Sequence, residues 1–419
     1  MVWMSAISLV IFLGLCLRFF VKNSDNHLAQ FALGLKIIAG LCLGLLYKFH
    51  LGGGDTFQYF MEGKTLSTFL IDHPADWFSI YFNTIHVPEL VDLIIYYDQP
   101  RALFFAKIIS IFYIFSGGNY WIISAFLSLI NFTCIHILVQ ELDKSFPRHE
   151  KAFSISFYFL PTFVFWTSGL LKESLAIGAL ALLVSVFLHV NRTKNYTSIF
   201  IWLLALGAAL LLWELKYYYA AIAVPLLLAL SVFSFIRVKR SVHPAIIILF
   251  CFLGVLVASV LHYNLSLSRV MEVVYENYQK NNAGVNSIQY YHFDGNWYGF
   301  LINIPLALFS GLFRPIFFDA SNFLGALVST ENLTVLIILM VGLWKSKFQV
   351  SVKNPYILTT LLYVFSLAVL MAFSSPNLGS LSRYKVAYWP FFVTLVLSLF
   401  FEGNKKGQNL QDPDLKNHH

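Results

Sequence analysis

A few short stretches hold the ionisable and turn-forming residues of an otherwise apolar chain. In HLGGGDTFQYFMEGK, the glycines Gly52, Gly53 and Gly54 precede Asp55, with Tyr59 one turn further on. Glycines let backbone turn sharply and approach a ligand closely, and a carboxylate placed there can take a proton from an attacking hydroxyl. Asp55 equally suits the N-cap of the segment that follows, and the two roles are compatible. In PTFVFWTSGLLKES, Lys172 and Glu173 lie between apolar runs with almost no loop. Lys172 suits a phosphate as a point charge, and Ser168 and Gly169 stand before a helix whose first amides favour anions. The competing reading is an interfacial turn with Lys172 snorkelling to water.

Three further stretches extend the set. WELKYYY carries Glu214 and Lys216, which either pair with each other or mark a membrane boundary among belt aromatics. FRPIFFDASN carries Arg314, suited to two-pronged phosphate recognition, with Asp319 close by and Glu331 following in STENLTVLIILM. An ion pair from Arg314 to Asp319 or Glu331 is the alternative there. SSPNLGSLSRYKVAYWP sets Arg383 and Lys385 at the start of the last apolar run, and is the preferred site for an anionic headgroup. One base, several cations and many aromatics fit a polyprenyl phosphate or diphosphate carrying a sugar. The sequence has no metal-ligand spacing, P-loop or Ser, His and Asp set on a recognisable scaffold, so neither metal nor cofactor is expected.

The elements that must position these residues follow from composition. Of 419 residues 58% are hydrophobic and only 12% charged, against about 25% charged in a soluble domain. Apolar runs recur along the chain at 1–20, 28–47, 102–115, 121–140, 152–167, 175–190, 199–213, 217–236, 244–261, 297–313, 327–344, 356–373 and 386–401. This predicts an all-α polytopic transmembrane helical bundle of about 11–13 spans. Residues 1–401 form a single membrane domain and 402–419 a polar, disordered cytoplasmic tail. The start of the chain lacks a basic leader and an obvious cleavage site, so it reads as a retained helix. Cys16, Cys42, Cys134 and Cys251 read as small buried hydrophobes. The formal charge of +7 resides in short loops, where it sets orientation, and no nucleic-acid partner is expected because no basic stripe is interleaved with exposed aromatics.

Basic clusters at Arg192/Lys194, Arg237/Lys239/Arg240, Lys345/Lys347 and Lys405/Lys406 are expected on the cytoplasmic side. Residues 169–173, 214–216, 262–296 and 374–385 then share the opposite face. Parity requires one segment between 48 and 121, either the run after Arg101 or the amphipathic stretch 77–97, to re-enter or lie in the interface. Part of 297–322 is expected to do the same.

On these motifs the chain resembles polytopic membrane proteins of bacterial surface-polysaccharide biosynthesis, a group that includes O-antigen-type repeat-unit polymerases and lipid-linked-sugar glycosyltransferases of the GT-C superfamily. What is similar is the Gly-Asp loop (Gly54, Asp55, Tyr59), the FW-x-SG-x-x-KE-S turn (Phe165 to Ser174), the RP element (Arg314, Pro315) and the late N-x-G-x-x-x-R-x-K element (Asn377 to Lys385). The resemblance implies a GT-C-like fold and an acidic residue of the first outer loop as catalytic base, which maps onto Asp55. This chain differs in having GGGD where that group often shows paired acids.

The expected function is glycosyl transfer from a polyprenyl-linked donor to a saccharide or lipid-linked acceptor within the bacterial inner membrane, at its outer face, as a polymerase or a GT-C-like transferase. Asp55 would be the base. Lys172, Arg314, Arg383 and Lys385 would hold phosphate, with Tyr59, Ser168, Glu173, Lys216 and Glu331 in support. The alternative is a flippase or transporter of the same lipid-linked saccharides, since intramembrane charges mark transport paths as well.

Overall fold

The computed structural model describes residues 2–82, 93–235, 242–261, 263, 266–281, 287–320, 322–346 and 354–411. The described residues are mostly helical, with a single isolated bridge between Ser287 and Asn377 and no strand among them. Among the described residues seven helices are long and apolar enough to cross a bilayer: Val2–Lys22, His27–Phe49, Tyr120–Ser145, Lys172–Thr193, Ile199–Val232, Phe323–Lys345 and Pro355–Ser374. The pair Leu378–Ala387 and Trp389–Phe401, bent by 71°, makes up to eight. The chain is an all-α, polytopic membrane protein.

Asparagine opens many of these helices. The side chains of Asn26, Asn296, Asn322, Asn354 and Asn377 each accept a hydrogen bond from a first-turn amide, satisfying a donor that has no partner within the helix. Pro100 and Pro355 occupy first-turn positions, where a missing N–H is harmless. Lys22, Lys48, Arg192 and Lys345 fall in last turns, where positive charge complements the helix dipole.

Among the described residues the apolar runs and these spans do not correspond one to one. The stretch Ile199–Phe235 is two helices joined at a kink at Lys216, whose backbone leaves the helical region (φ −150°, ψ 69°). Run 102–115 makes a helix of 16 residues, Pro100–Phe115, about 24 Å long against about 30 Å of hydrocarbon. Run 152–167 breaks into the short segments Glu150–Ser154, Ile155–Phe159 and Pro161–Trp166. His243–Leu261 is an apolar helix of 19 residues, and Trp297–Phe313 an apolar helix of 17. Part of the stretch 77–97 lies outside the described residues.

Two other stretches carry helix. Residues 262–296 contain the helix Leu267–Asn281, which buries Met271, Val274 and Tyr278 along one face and pairs Arg269 with Glu272 at 2.7 Å. The last helix runs from Trp389 to Gln411, and 412–419 lie outside the described residues.

The chain divides into two compact units interleaved in sequence, one of 1–140, 164–186 and 198–217, the other of 141–163, 187–197 and 218–419. In the first unit, Gly54–Asp72 packs along Pro100–Phe115. Gly63 permits that approach, since a Cβ there would lie 2.7 Å from the Ile109 side chain. Leu66, Leu70, Ile80, Ile94, Leu103 and Ala106 form the core beside it. In the second unit, Phe323–Lys345 packs along the last helix and Trp297–Phe313 along Pro355–Ser374. Tyr278, Tyr290, Phe293, Phe300 and Phe373 close that unit with ring contacts between 4.7 and 5.5 Å.

Candidate functional site

The first unit builds its polar cluster from the glycine turn. Gly52, Gly53 and Gly54 all take positive φ, at 65°, 98° and 45°, a conformation that strongly favours glycine. The Gly53 amide donates to the Tyr47 carbonyl at 2.7 Å. Gly53, not Asp55, is the N-cap of Gly54–Asp72, and Asp55 stands half-buried in the first turn. That position suits a carboxylate against the helix dipole.

Asp55, Tyr59 and Glu62 are spaced i, i+4, i+7 and so share one helix face. Tyr59 is 3% exposed, edge-on to Phe105 at 4.9 Å and tilted against Tyr96 at 5.1 Å. The Lys172 ammonium lies 5.1 Å from the centre of the Tyr59 ring, within reach of a cation–π attraction. Glu62 accepts from the Tyr96 amide at 3.2 Å and from Gln58 at 3.0 Å through Oε1, while its buried Oε2 has no hydrogen-bond partner. Burial pushes this carboxyl above the usual range, opposed by the hydrogen bonds from Gln58, Tyr96 and Ile95.

This gives a pH test. A raised carboxyl favours the folded protein in its protonated form. The contribution is therefore complete below the unfolded value of about 4.3 and lost as pH rises through the higher folded value. Glu62→Gln removes that dependence. The variant is expected to melt higher than the native chain near neutral pH and to lose the advantage near pH 4. A difference in melting temperature that stays constant with pH would refute it.

The FW-x-SG-x-x-KE turn enters the same cluster. Gly169 takes φ 69°, and its amide donates to Ser128 Oγ at 2.9 Å. Asn131 donates to the Ser174 carbonyl at 2.6 Å, and the buried Lys36 ammonium donates to the Val164 carbonyl and to Thr167 Oγ1. Ser168 donates back to the Val164 carbonyl, so its hydroxyl proton serves its own turn and not a ligand. Glu173 is fully buried and pairs with Lys216 at 2.9 Å. The sequence offered two readings of Glu214 and Lys216, a mutual pair or a membrane boundary. Leaving the helical backbone at Lys216 accompanies the contact with Glu173 instead. The next residue, Tyr217, offers its ring to the Arg101 guanidinium at 4.8 Å.

The second unit gathers the remaining candidates. Arg314 donates to both carboxylate oxygens of Asp319, at 2.9 and 2.6 Å, so one edge of its guanidinium is committed within the chain. Burial works to raise the Asp319 carboxyl, but the hydrogen bonds from Arg314 and the Ile316 amide, with the guanidinium charge, hold it below the usual range. Glu331 is no partner of Arg314: it accepts from the Thr162 amide and hydroxyl, at 2.8 and 2.7 Å, and from the Trp389 indole. Lys385, expected at an accessible phosphate site, is fully buried. Its ammonium donates to Asn332 Oδ1 at 2.8 Å and lies 3.8 Å from the centre of the Trp389 ring. Arg383 is half-buried one turn along Leu378–Tyr384.

The structure thus places Asp55, Tyr59, Ser168, Lys172, Glu173 and Lys216 in the first unit, and Arg314, Glu331, Arg383 and Lys385 in the second. Contacts join Tyr59 to Lys172 and Glu173 to Lys216, Lys172 and Glu173 being neighbours in sequence, with Asp55 one helical turn from Tyr59. Sequence reasoning missed Glu62, which its seven-residue spacing from Asp55 would have shown, and Arg101, which follows Pro100 at a helix start. It also missed Lys36, for which an isolated lysine in an apolar run was the signal. No protein-family model matches the chain, nor does any curated protein or solved structure.

Proposed function

We propose that the protein is a membrane glycosyl-transfer enzyme of surface-polysaccharide assembly, a polymerase or GT-C-like transferase, working at the outer face of the bacterial cytoplasmic membrane. The observation that carries this reading is the first-unit cluster, in which a half-buried carboxylate, Asp55, stands one helical turn from a tyrosine that holds the Lys172 ammonium on its ring. In the reaction an acceptor hydroxyl oxygen attacks the anomeric carbon of the donor sugar. The bond from that carbon to the phosphate oxygen breaks, the phosphate leaves with the electron pair, and the hydroxyl proton passes to Asp55. Developing negative charge on the phosphate is what Lys172 is placed to stabilise, while the leaving group ionises readily and needs no acid. The polyprenyl carrier would lie in the bilayer, and the acceptor is a saccharide or a second lipid-linked chain.

The competing reading is a flippase for the same lipids. It is favoured by the buried charges Lys36, Glu173 and Lys216 in or beside candidate spans, since such groups also line transport paths. The test is transfer of radiolabelled sugar from a set of polyprenyl-linked donors by purified native protein, beside Lys172→Gln. Transfer by the native chain that falls about 10²–10³-fold in the variant supports the enzyme. Absence of transfer from every donor, together with flipping in liposomes that Lys172→Gln slows, overturns it in favour of transport.

A further inference from the structure

The second unit carries an exposed aromatic turn that takes no part in the site described above. In the segment YYHFDGNWYGF, Tyr291 is 71% exposed, Trp297 53% and Tyr298 65%, with His292 and Asp294 exposed beside them. Phe293 turns the other way and is buried against Tyr278, Tyr290, Phe300 and Phe373 at 4.7–5.5 Å. The side chains of Tyr291, Trp297 and Tyr298 make no ring contact and no hydrogen bond among the described residues.

The backbone of this turn is fixed from several sides. The Tyr291 amide donates to the side-chain oxygen of the fully buried Asn303 at 2.9 Å, and the Asn303 side-chain nitrogen donates to the carbonyls of Tyr291 at 2.7 Å and Gly299 at 2.8 Å. The Tyr290 amide donates to the Tyr278 hydroxyl at 3.2 Å, and the Ile288 amide to the Pro376 carbonyl at 2.9 Å. His292 takes φ 44°, which is uncommon for a residue with a side chain and persists only where the surroundings impose it. Gly299 lets the two halves of the turn meet, since a Cβ there would lie 2.7 Å from the His292 carbonyl oxygen. Tyr291 and His292 therefore stand against the first turn of Trp297–Phe313, the turn that carries Trp297 and Tyr298.

Trp and Tyr at the start of an apolar helix are also what a membrane belt uses. Here His292 and Asp294 fall between Tyr291 and Trp297, and hydrocarbon excludes such groups, so the turn belongs to water. An aromatic face carries negative charge density and suits the C–H face of a pyranose. The hydroxyls at the sugar's edge both donate and accept, as do the tyrosine hydroxyls and the His292 ring, while Asp294 accepts. No Lys or Arg lies between Ser287 and Phe313, and the Asp294 carboxylate repels anions. Rings already held in place lose little freedom when a ligand arrives. We infer that the turn 291–298 is a binding platform for an uncharged saccharide chain, with Tyr291, Trp297 and Tyr298 stacking on its sugar rings. This rests on the proposed glycosyl-transfer reading and narrows its acceptor to a glycan without acidic sugars. The platform holds the chain and takes no part in making the bond.

The experiment titrates the full chain in phosphatidylcholine nanodiscs with linear hexamers of glucose, galactose, mannose, N-acetylglucosamine and galacturonate, native and with Tyr291→Ala, Trp297→Leu, Gly299→Ala and Asp294→Asn. At least one uncharged hexamer is expected to bind about tenfold or more tightly than the galacturonate hexamer. Tyr291→Ala and Trp297→Leu should each weaken that binding about 3–10-fold, the scale of one aromatic contact. Gly299→Ala should weaken it while every exposed ring is kept. Asp294→Asn should leave it within about twofold and narrow the gap to galacturonate. In the transfer assay Tyr291→Ala should raise the acceptor KM by a similar factor with kcat within about twofold, the pattern of lost uniform binding. The inference is overturned if no uncharged hexamer binds, if binding ignores both ring substitutions, or if galacturonate binds as tightly. It is also overturned if lipids brominated along their chains quench the Trp297 emission, taken as the native spectrum minus that of Trp297→Leu, which makes the ring a membrane anchor. Any of these alongside continued sugar transfer sinks the platform alone. Hexamer binding with no transfer from any polyprenyl-linked donor sinks the enzyme reading and leaves the platform standing.

Discussion

Asparagine in place of Asp55 is expected to reduce sugar transfer by about 10²–10⁴-fold, the range general-base catalysis supplies. Asparagine has the shape of aspartate but no basic oxygen, so the change isolates proton acceptance from packing. The fold should tolerate it. Asp55 is half-buried in the first turn, while the cap is Gly53 and carries no side-chain hydrogen bond. At the helix end asparagine removes a favourable charge worth about 0.3–1 kcal/mol, while keeping the shape of the side chain and an acceptor oxygen. The expected result is thus a large fall in single-turnover rate with little change in melting temperature and none in donor binding. Asp55→Glu, which keeps a carboxylate but shifts it by one methylene, should retain a measurable part of the rate. A transfer rate within about twofold of native in Asp55→Asn removes Asp55 from the chemistry and redirects the search for the base to Glu62, on the same helix face.

How much of this could be read from the residues depends on how local each cause is. Apolar content alone dictates helices, because backbone groups in hydrocarbon must satisfy one another within the segment. The caps are local too, and each asparagine with its amide partner spans only two or three residues. Asp55 and the FW-x-SG-x-x-KE turn were visible because glycine and charge are rare inside apolar sequence. Glu62 was in view by its spacing and was overlooked. Other features are not local. Lys216 and Glu214 are two residues apart, yet the partner of Lys216 is Glu173, brought near by packing between helices. Lys385 sits beside Arg383 in sequence, yet one is fully buried and the other half-exposed, because the turn from Leu378–Tyr384 into Trp389–Gln411 directs Lys385 onto Trp389 and Asn332. The break at Lys216 has a related origin: two helices meeting at a kink leave an apolar pattern interrupted only by Glu214 and Lys216.

Removing one partner of the Glu173–Lys216 pair should destabilise the protein more than any other single change considered. Glu173 is fully buried, Lys216 is 5% exposed, and they meet at 2.9 Å. A buried pair offsets the desolvation of two ions by their mutual attraction, so deleting either member leaves a charge with neither water nor counter-ion. Glu173→Gln and Lys216→Met are each expected to lower unfolding stability by about 3–5 kcal/mol, read from denaturant or thermal unfolding of purified protein in detergent. Replacing both by apolar groups of similar size removes both desolvation terms together. The double variant Glu173→Leu with Lys216→Met should therefore recover most of the loss, giving a coupling energy of several kcal/mol where independent sites would show almost none. Single variants that lose less than about 1 kcal/mol would mean the two ions are hydrated in the native protein. A double variant no better than the worse single one would mean that the helix break at Lys216 needs the lysine itself.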